Sequence, residues 1–535
     1  MKIHMLDCTL RDGAYVVDSN FGTPAIKGII KKMRDANIDI IECGWLKDKA
    51  YEDGSTFFHV PSDLEKYITR KGKHTTYVAM IDWDRYDLCQ LPPYDGKSID
   101  AIRVVFPYNK YKEGIALGTI IKEKGYQVYF QAANTLGYSD EDLVALAEEI
   151  NQAKPVALSI VDTFGAMYSD DLEHIVNILN EHLSKDIMLG LHAHNNQQLA
   201  FSLAMRFGEL LDKGERDIII DSCLCGMGRG AGNATTELVA NYLNRKYKRN
   251  YDMNVIMDAI DLYMGYFVEN YKWGYCTPYF ISGIYCAHVN NIAYLMNGHR
   301  TSAKEMKNII ESLSENDRTK YDYDLLEEKY LDYQNKVVDD EHTIEILMQQ
   351  LSDRKILLVF PGSSALEQHE KINKFIEKEN PVVIGINAVT LGYSYDYLFF
   401  SNVMRYNYAR DVYSDILKKT HKIITSNIKS VPEDNEHIVN FNMLVKRGWT
   451  HFDNSGIMCL RLLNKMNISE VYMAGFDGFE DEYSKSYADN SLPHINPGKK
   501  WDDLNSEVKE MFSDFVNCTK GYMNITFLTE SKYEL

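Results

Sequence analysis

Short runs of apolar residues alternate with stretches of helical periodicity along roughly the first 240 residues. Most of these runs are continuously apolar, which is typical of strands buried on both faces. Strands that alternate with helices predict right-handed parallel β–α units. The predicted strands cover residues 3–8, 38–44, 75–81, 101–106, 127–133, 156–161, 187–194 and 217–224, and the clearest predicted helices cover 25–37, 140–153, 169–183 and 197–213.

This pattern predicts an α/β protein whose N-terminal domain, residues 1–245, is a (β/α)₈ TIM barrel. An open doubly wound sheet is the alternative. Such a sheet commonly carries a glycine-rich fingerprint after its first strand, whereas this strand is followed by Thr9-Leu10-Arg11-Asp12. The barrel is therefore the preferred interpretation.

Helical periodicity dominates residues 246–352. We interpret this part as a helical extension that either leans over the barrel mouth or serves dimerisation. The helical stretches cover 255–272, 280–296, 302–314 and 323–351.

From residue 353 to 535 the α/β pattern restarts, which predicts a separate Rossmann-like domain. Its first predicted strand, 356–360, runs into Pro361-Gly362-Ser363-Ser364. A strand followed by a glycine turn and a helix can hold a phosphate on backbone N–H groups. Further strands are predicted at 381–386, 397–400, 421–425 and 470–474, with an edge strand at 524–528.

Composition excludes several classes of protein. The 535 residues are 45% hydrophobic and 25% charged, as in ordinary globular proteins, and contain no long apolar run that predicts a membrane span. Nine cysteines without a Cys-x-x-Cys pair indicate reduced thiols and a cytoplasmic location, with Cys223 and Cys225 interpreted as core residues. A net charge of −19 disfavours nucleic acid as a partner.

Candidate chemistry lies at the ends of two predicted strands. Arg11 and Asp12 follow the first strand, and His192 and His194 lie two positions apart on the seventh, so their side chains point to the same side. The strand ends of a parallel barrel open onto one face. Two imidazoles and one carboxylate can bind a divalent cation and leave positions open for substrate. The alternative is that the histidines are hydrogen-bonded core residues.

A glycine-rich stretch follows the eighth predicted strand, in the segment Gly226-Met227-Gly228-Arg229-Gly230-Ala231-Gly232-Asn233. Because glycine lacks a side chain, such a loop lets the backbone approach a ligand closely. A flexible surface loop is the alternative.

Three motifs together resemble the metal-dependent TIM-barrel aldolase/lyase superfamily: Thr9-Leu10-Arg11-Asp12-Gly13, His192-Ala193-His194-Asn195-Asn196 and Gly230-Ala231-Gly232-Asn233. That superfamily includes 4-hydroxy-2-oxovalerate aldolase, hydroxymethylglutaryl-CoA lyase, and the isopropylmalate and homocitrate synthases. The resemblance covers about residues 1–300 and is greatest for the hydroxy-oxoacid aldolases.

The resemblance implies that Asp12, His192 and His194, joined in some members by Asn233, hold Mn²⁺ or Mg²⁺, with Co²⁺ or Zn²⁺ as further candidates. The ion would chelate the carboxylate and keto oxygens of a 2-oxoacid. Arg11 would stabilise the enolate oxygen, because a fixed positive charge favours an oxyanion that is absent from the ground state.

One position departs from these relatives. Tyr15 occupies the place of the histidine that acts as their base. A neutral tyrosine, with an ordinary pKa of about 10, is a poor base at neutral pH. The base is therefore expected to be either Tyr15, activated by the metal site, or His288 of the helical extension. The alternative for His288 is a packed helix residue.

Other residues near strand ends are candidate substrate contacts. Glu42 ends the second predicted strand, Arg103 lies on the fourth, and Asp162 and Thr163 follow the sixth. Each could instead belong to an ion pair of the barrel core.

The C-terminal domain resembles bacterial sialyltransferase-type and pyrophosphokinase-like nucleotide-binding domains in several short motifs. This resemblance implies a nucleotide or nucleotide-sugar pocket, with His494 as an acid or base. The alternative is an α/β domain used for assembly. The other pocket residues would be Ser363, Asn387, Asn402, Ser455 and Asp477.

These observations predict a cytoplasmic carbon–carbon lyase that joins or cleaves a pyruvate-like enolate and an aldehyde, with a place in surface-polysaccharide sugar biosynthesis. A homo-oligomer is expected. One alternative is a Claisen-type condensing enzyme that uses an acyl-CoA. Another is a non-catalytic scaffold with a vestigial barrel.

Overall fold

The protein forms two compact units in a computed structural model that describes residues 2–299, 301–334, 338–428, 435–446, 448–449, 454–493, 501–519 and 521–535. The first unit comprises Met1–Ile292 and Ser314–Tyr321, and the second comprises Ala293–Leu313 and Asp322–Leu535. The segment 246–352, predicted as one helical extension, is thus divided between the two units.

The first unit contains a closed parallel barrel, which confirms the predicted fold. Its eight strands pair in order around the ring, and the register Leu6↔Ile40 between the first two strands closes it. A short outer strand, β3, pairs only with β2. The strands are β1 (Ile3–Asp7), β2 (Ile40–Leu46), β3 (Phe57–Phe58), β4 (Thr76–Asp82), β5 (Ala101–Phe106), β6 (Gln127–Ala132), β7 (Ala157–Asp162), β8 (Met188–Ala193) and β9 (Ile218–Ser222).

Amphipathic helices pack around this ring and bury their apolar faces against the strands, as the sequence period predicts. Two connections carry no α-helix, a departure from the ideal barrel. The β4–β5 connection contains Pro92 and Pro93, which disfavour a helix, and the β2–β4 connection has only a 3₁₀ turn at Pro61–Leu64. The outer helices are Thr23–Asp35, Tyr111–Glu123, Asp140–Ala153, Ser169–His182, Ala200–Leu211 and Thr236–Tyr247.

The helices that follow the barrel are shorter than predicted. The predicted helix 280–296 is two helices, Thr277–Ile284 and Val289–Gly298, because Cys286 adopts a left-handed conformation with φ of 48°. Before them lie Met253–Ala259, a π-helical turn at Ile260–Met264, and Gly265–Asn270, and after them come Ala303–Ser312, Glu315–Arg318, Tyr323–Gln334 and Glu341–Leu351.

The second unit contains an open, fully parallel sheet, as predicted for an α/β domain. Its strand order is β14-β13-β12-β11-β10-β15-β16, so the predicted edge strand β16 does lie at an edge. Strand β14 was not predicted. The strands are β10 (Ile356–Val359), β11 (Val382–Ile386), β12 (Tyr397–Phe400), β13 (His421–Thr425), β14 (Glu436–Val439), β15 (Glu470–Ala474) and β16 (Asn524–Phe527).

Helices connect these strands, and the strand order reverses between β10 and β15. No helix in the described parts of the chain is long and apolar enough to cross a membrane. The helices are Ser363–Glu367, His369–Glu379, Val403–Val412, Ser414–Leu417, Ser455–Lys465, Tyr483–Ser486 and Trp501–Thr519.

Candidate metal centre and active site

The structure brings Asp12, His192 and His194 together at one end of the barrel. Asp12 ends a short helix, Thr9–Asp12, that directly follows β1, while His192 lies on β8 and His194 just beyond it. One potential ligand atom from each residue lies within 4.8 Å of the other two. The pairing of β1 with β9, and of β9 with β8, therefore joins two motifs about 180 residues apart in sequence.

Both histidines are oriented by a hydrogen bond from the ring nitrogen that faces away from Asp12. Nδ1 of His192 donates to Asp221 Oδ2 at 3.1 Å, and Nδ1 of His194 donates to the carbonyl oxygen of Asp162 at 3.0 Å. Each ring then keeps the lone pair of Nε2 for a ligand, an arrangement typical of metal-binding histidines. The Nε2 atom of His194 lies 3.7 Å from Asp12 Oδ2.

Two buried polar atoms at this site lack a hydrogen-bond partner within the described part of the chain: His192 Nε2 and Asn233 Oδ1. The amide nitrogen of Asn233 donates to Asp12 Oδ2, which brings Asn233 to the same point. Buried polar atoms normally have partners, and a cation would supply one for both. Nitrogen and oxygen donors of this kind fit a divalent ion.

The charges at the site also suit a cation. Burial by itself would raise the pKa of Asp12, but Arg11, His194 and His192 outweigh burial, so the pKa lies well below its usual range. Burial lowers the pKa of His194 to about 4, although Asp12 opposes that shift. At neutral pH the carboxylate is therefore ionised and the His194 imidazole is neutral, the protonation states that bind metal.

A second group of potential ligands, Cys8, His192 and Asp221, lies deeper in the barrel. Burial raises the pKa of the Cys8 thiol well above its usual range, so the thiol stays protonated, and a thiol is a much poorer ligand than a thiolate. The Asp221 carboxylate is already bound by Arg103 and His192. We therefore favour the group at the barrel mouth.

Arg11 is fixed beside this group by three contacts. Its Nη1 donates to Asp12 Oδ1 at 2.5 Å, and its Nε donates to Glu42 Oε2 at 2.8 Å. Its carbonyl oxygen accepts from Trp45 Nε1 at 3.1 Å. A bulge in β2 between Glu42 and Trp45 accompanies these contacts. The guanidinium is thus held next to the candidate metal ligand Asp12.

Glu42 and Arg103, predicted as substrate contacts, lie beneath this layer. Arg103 is 1% exposed, and its Nη atoms donate to Glu42 Oε2 at 2.9 Å, to Asp221 Oδ2 at 2.5 Å and to Gln131. This is the core ion network that the sequence left as an alternative. Through its contact with Glu42 the network positions Arg11, and through its contact with Asp221 it positions His192. Asp221 was not predicted, although an acid within the apolar run 217–224 was a signal.

Asp162 and Thr163 lie in the turn that follows β7. The Asp162 carboxylate accepts from the backbone N–H of Ala166 at 2.8 Å, and Thr163 Oγ1 accepts from the backbone N–H of Asn134 at 2.7 Å. Burial raises the pKa of Asp162 to about 7. Both side chains bind loop backbone, and Asp162 also orients His194 through its carbonyl oxygen.

Arg229 connects Tyr15 and His288 at the mouth. Its guanidinium carbon lies 4.9 Å from the centroid of the Tyr15 ring, and its Nη2 lies 3.3 Å from His288 Nε2. The backbone N–H of Asn290 donates to His288 Nδ1 at 3.2 Å, so donors face both nitrogens of the ring. Burial, Arg229 and Arg85 lower the pKa of His288 to about 3. Burial raises the pKa of Tyr15 to about 12, although Arg229 lowers it.

The glycine-rich loop passes very close to the candidate metal ligands. A Cβ on Gly228 would lie 2.2 Å from Asn233 Nδ2 and 2.5 Å from Asp12 Oδ2. The next backbone N–H, of Arg229, donates to Asp12 Oδ2 at 3.3 Å. Glycine at 228 therefore allows the close approach that the sequence suggested for this loop.

The residues predicted for a second-domain pocket form two groups. Asn387 Nδ2 donates to Ser455 Oγ at 2.7 Å, and Asn387 Oδ1 accepts from the backbone N–H of Asn402 at 3.3 Å. Asp477 accepts from the backbone N–H of Ser364 at 2.8 Å. His494 lies outside the described residues.

This last contact corrects the expectation that the Gly362–Ser364 turn binds a phosphate through its free N–H groups. The Asp477 carboxylate accepts from the Ser364 N–H and also from the Ser364 hydroxyl. The turn instead holds the carboxylate in place.

Comparison with known proteins shows which proteins the barrel is similar to. The model of the HMGL-like family matches residues 111–262. A 4-hydroxy-2-oxovalerate aldolase of Thermomicrobium roseum is 27% identical over 258 residues, 48% of this chain and 70% of the aldolase. An oxaloacetate decarboxylase of Mycobacterium tuberculosis is 24% identical, over 48% of this chain and 74% of the decarboxylase. A solved N-terminal domain of a Bacteroides vulgatus aldolase candidate is 25% identical with a TM-score of 0.47, covering 54% of this chain and 95% of that domain.

The fold is a parallel α/β barrel with a metal-type site at the carboxyl ends of its strands. The N-terminal domain is similar to the HMGL-like family and to 4-hydroxy-2-oxovalerate aldolases, which agrees with the resemblance found in the sequence.

Proposed function

We propose that the barrel is a divalent-metal-dependent aldolase that forms or cleaves a carbon–carbon bond between a pyruvate-like enolate and an aldehyde. The observation that carries the proposal is the convergence of Asp12, His192 and His194, with a buried, unpartnered His192 Nε2, beside the fixed guanidinium of Arg11. The names of the aldolase relatives support the reaction class.

Asp12, His192 and His194 would hold the cation, with Asn233 available through its Oδ1 atom. A bound divalent cation acts as a Lewis acid that polarises the keto group of a 2-oxoacid. Arg11 contributes a second positive charge whose position is fixed before the reaction by Glu42 and Asp12. Such preorganised charge stabilises an enolate oxygen without further reorganisation.

Proton transfer at the mouth is assigned to Tyr15 as a donor. With a pKa of about 12, its phenol is protonated at neutral pH and can give a proton to the oxygen of the reacting aldehyde. The proton that leaves the pyruvate methyl group would pass to solvent, from which the Tyr15 phenolate would regain its own. His288, with a pKa of about 3, is a weak base at neutral pH in this arrangement. We therefore place His288 as a partner of Arg229 rather than as the proton acceptor.

Deuterium exchange of the pyruvate methyl protons tests the proposal without knowledge of the aldehyde. We expect exchange that requires Mn²⁺ and is lost in His192→Ala. His182→Ala is the matched control, since His182 is exposed at the end of an outer helix. If Mn²⁺ does not bind, or if His192→Ala exchanges as fast as the wild type, the aldolase proposal fails.

A Claisen-type condensation would use the same metal site, so an acyl-CoA is tested as the co-substrate with a 2-oxoacid acceptor. Release of free CoA at rates above those of the aldol reaction would favour that alternative. The role in surface-polysaccharide biosynthesis, the homo-oligomer and the cytoplasmic location stay predictions.

A further inference from the structure

A cleft lies at the carboxyl ends of β10 and β15 in the second unit. These neighbouring strands are where the order of the sheet reverses, since β11 to β14 extend to one side of β10 and β15 and β16 to the other. In open α/β sheets, the crevice at such a reversal is where ligands bind. Its walls include Pro361 and Gly362, which follow β10, and Gly475 to Asp477, which follow β15.

Arg405 forms part of the cleft wall, and no acidic side chain of the described residues lies within ion-pair distance of its guanidinium. It is 2% exposed, and its Nη1 atom is buried without a hydrogen-bond partner among the residues described here. Other deeply buried cations differ from it: Arg103 pairs with Glu42 and Asp221, and Lys422 lies 3.7 Å from Glu436. Arg216 has no carboxylate partner in the described part of the chain, but its Nη atoms donate to backbone carbonyl oxygens. Burying a charge without a partner is costly, so the cleft is incomplete without an anion.

Aromatic rings form much of the remaining wall. The Tyr487 ring centroid lies 4.8 Å from the Arg405 guanidinium carbon. Phe476 packs against Phe360 and Tyr533, with ring centroids 4.5 Å and 4.7 Å apart. Flat apolar faces of this kind suit a planar ring. The cleft therefore offers an aromatic surface beside a buried positive charge.

The helix N-termini around the cleft are already capped by side chains. Asn454 accepts from the backbone N–H groups of Gly456 and Ile457, and Asn402 accepts from those of Met404 and Arg405. Asp477 occupies the Ser364 N–H in the same way. The anion of a ligand must therefore be held by the guanidinium of Arg405 rather than by a helix terminus.

We propose that this cleft binds a small ligand in which a planar ring carries an anionic group, a phosphate or a carboxylate, with Arg405 holding the anion and the aromatic wall holding the ring. A guanidinium presents a rigid fork that matches either anion. The proposal does not depend on the reaction of the barrel.

Calorimetric titration of the full chain tests this with the four nucleoside monophosphates AMP, CMP, GMP and UMP, their nucleosides, orotate and inorganic phosphate. We expect at least one ring-bearing anion to bind ten times more tightly than its uncharged counterpart and than inorganic phosphate. Comparing the affinity for orotate with that for UMP shows whether the cleft prefers a carboxylate or a phosphate. Arg405→Met should reduce the affinity at least tenfold, whereas Arg410→Met, an exposed arginine on the same helix, should not change it.

Hydrogen–deuterium exchange on the wild type locates the site even if Arg405→Met fails to fold. Protection on ligand binding is expected in peptides covering residues 384–388, 403–408 and 474–479. The proposal is overturned if no ring-bearing anion binds, if nucleosides or inorganic phosphate bind as tightly, if Arg405→Met binds like the wild type, or if protection appears only in the barrel.

Discussion

Arg11 contacts two carboxylates, and each contact has a different consequence. Glu42 fixes the direction of the guanidinium, while Asp12 links it to the metal site. Glu42 is itself held by Arg103, and the same Arg103 holds the Asp221 carboxylate that orients His192. One buried arginine thus positions both the charge proposed to stabilise the enolate and a proposed metal ligand.

Replacing Arg11 with lysine should leave Mn²⁺ bound but lower turnover about 100- to 1000-fold, the loss typical of one oxyanion donor. Lysine keeps the charge but cannot contact Glu42 and Asp12 in the same fork geometry. Metal content and steady-state rates measured on the same sample check this. Wild-type turnover in the lysine variant would contradict the role proposed for Arg11.

Tyr15→Phe separates proton donation from enolate formation. Because the Tyr15 phenol is protonated at neutral pH, the variant should keep Mn²⁺-dependent exchange of the pyruvate methyl protons. Its aldol turnover should fall at least tenfold, since the aldehyde oxygen loses its proton donor. Both rates can be followed by NMR. Loss of methyl exchange in this variant would instead make Tyr15 the base.

At the scale of elements, the glycine-rich loop after β9 passes close to the proposed metal ligands. Gly228→Ala should weaken Mn²⁺ binding at least tenfold, because the new Cβ would overlap Asn233 Nδ2 and Asp12 Oδ2. Gly265→Ala is the control, since nothing lies within 4 Å of a Cβ there. Calorimetric Mn²⁺ titration compares the two. Equal Mn²⁺ affinities of the two variants would show that the loop accommodates a Cβ at residue 228 without disturbing the site.

Asp7 links the end of β1 to the helix that follows β9 by accepting from Thr236 Oγ1 at 2.7 Å. Burial raises its pKa from 3.8 to about 6. A raised carboxyl pKa means that the folded protein holds the proton more tightly than the unfolded chain, so stability is lost as pH rises from about 4 to about 6.

The Asp7→Asn variant has no titratable group at residue 7, so its stability is the reference for that of the wild type. The free energy of unfolding of the wild type minus that of Asp7→Asn should fall by up to about 3 kcal/mol between pH 4 and pH 6 and stay constant above pH 7. Urea unfolding at several pH values measures it. A difference that does not vary with pH would mean that Asp7 has an ordinary pKa.

The sequence predicted elements better than it predicted the contacts between them. Continuous apolar runs identified all eight barrel strands, because burial on both faces leaves a local signal. The network of Glu42, Arg103 and Asp221 left no local signal in the sequence. Its members are 61 to 179 residues apart and meet only when the ring closes. The break at Cys286 was equally hidden, because helical periodicity continues through residues 280–296.

In the second unit, contacts that depend on the order of the strands could not be predicted from the local sequence. Gly362 and Ser363 were identified from a local strand–turn–helix pattern, but the pattern did not show that Asp477 would occupy the turn. Arg405 was missed because a lone arginine on a helix is usually exposed. Its burial follows from the placement of its helix, which starts after β12 and brings Arg405 to the cleft wall.

At the scale of the whole molecule, the two units have separate hydrophobic cores. One core cluster is formed by barrel residues from Ile3 to Phe267, and another by residues from Ile344 to Tyr533. Separate cores predict two thermal transitions. A ligand that binds only the native barrel should raise the midpoint of the barrel transition alone.

We therefore expect Mn²⁺ at 100 times its dissociation constant to stabilise the barrel by about 2.7 kcal/mol. For a domain of this size, that is a rise of roughly 5 °C in the midpoint of the barrel transition. Differential scanning calorimetry measures both transitions, and hydrogen–deuterium exchange of peptides from β9 identifies the one that belongs to the barrel. His192→Ala should abolish the rise and His182→Ala should keep it. An equal rise in both transitions would show that the two units unfold together. If the midpoint does not rise in the wild type, the barrel does not bind Mn²⁺ as proposed.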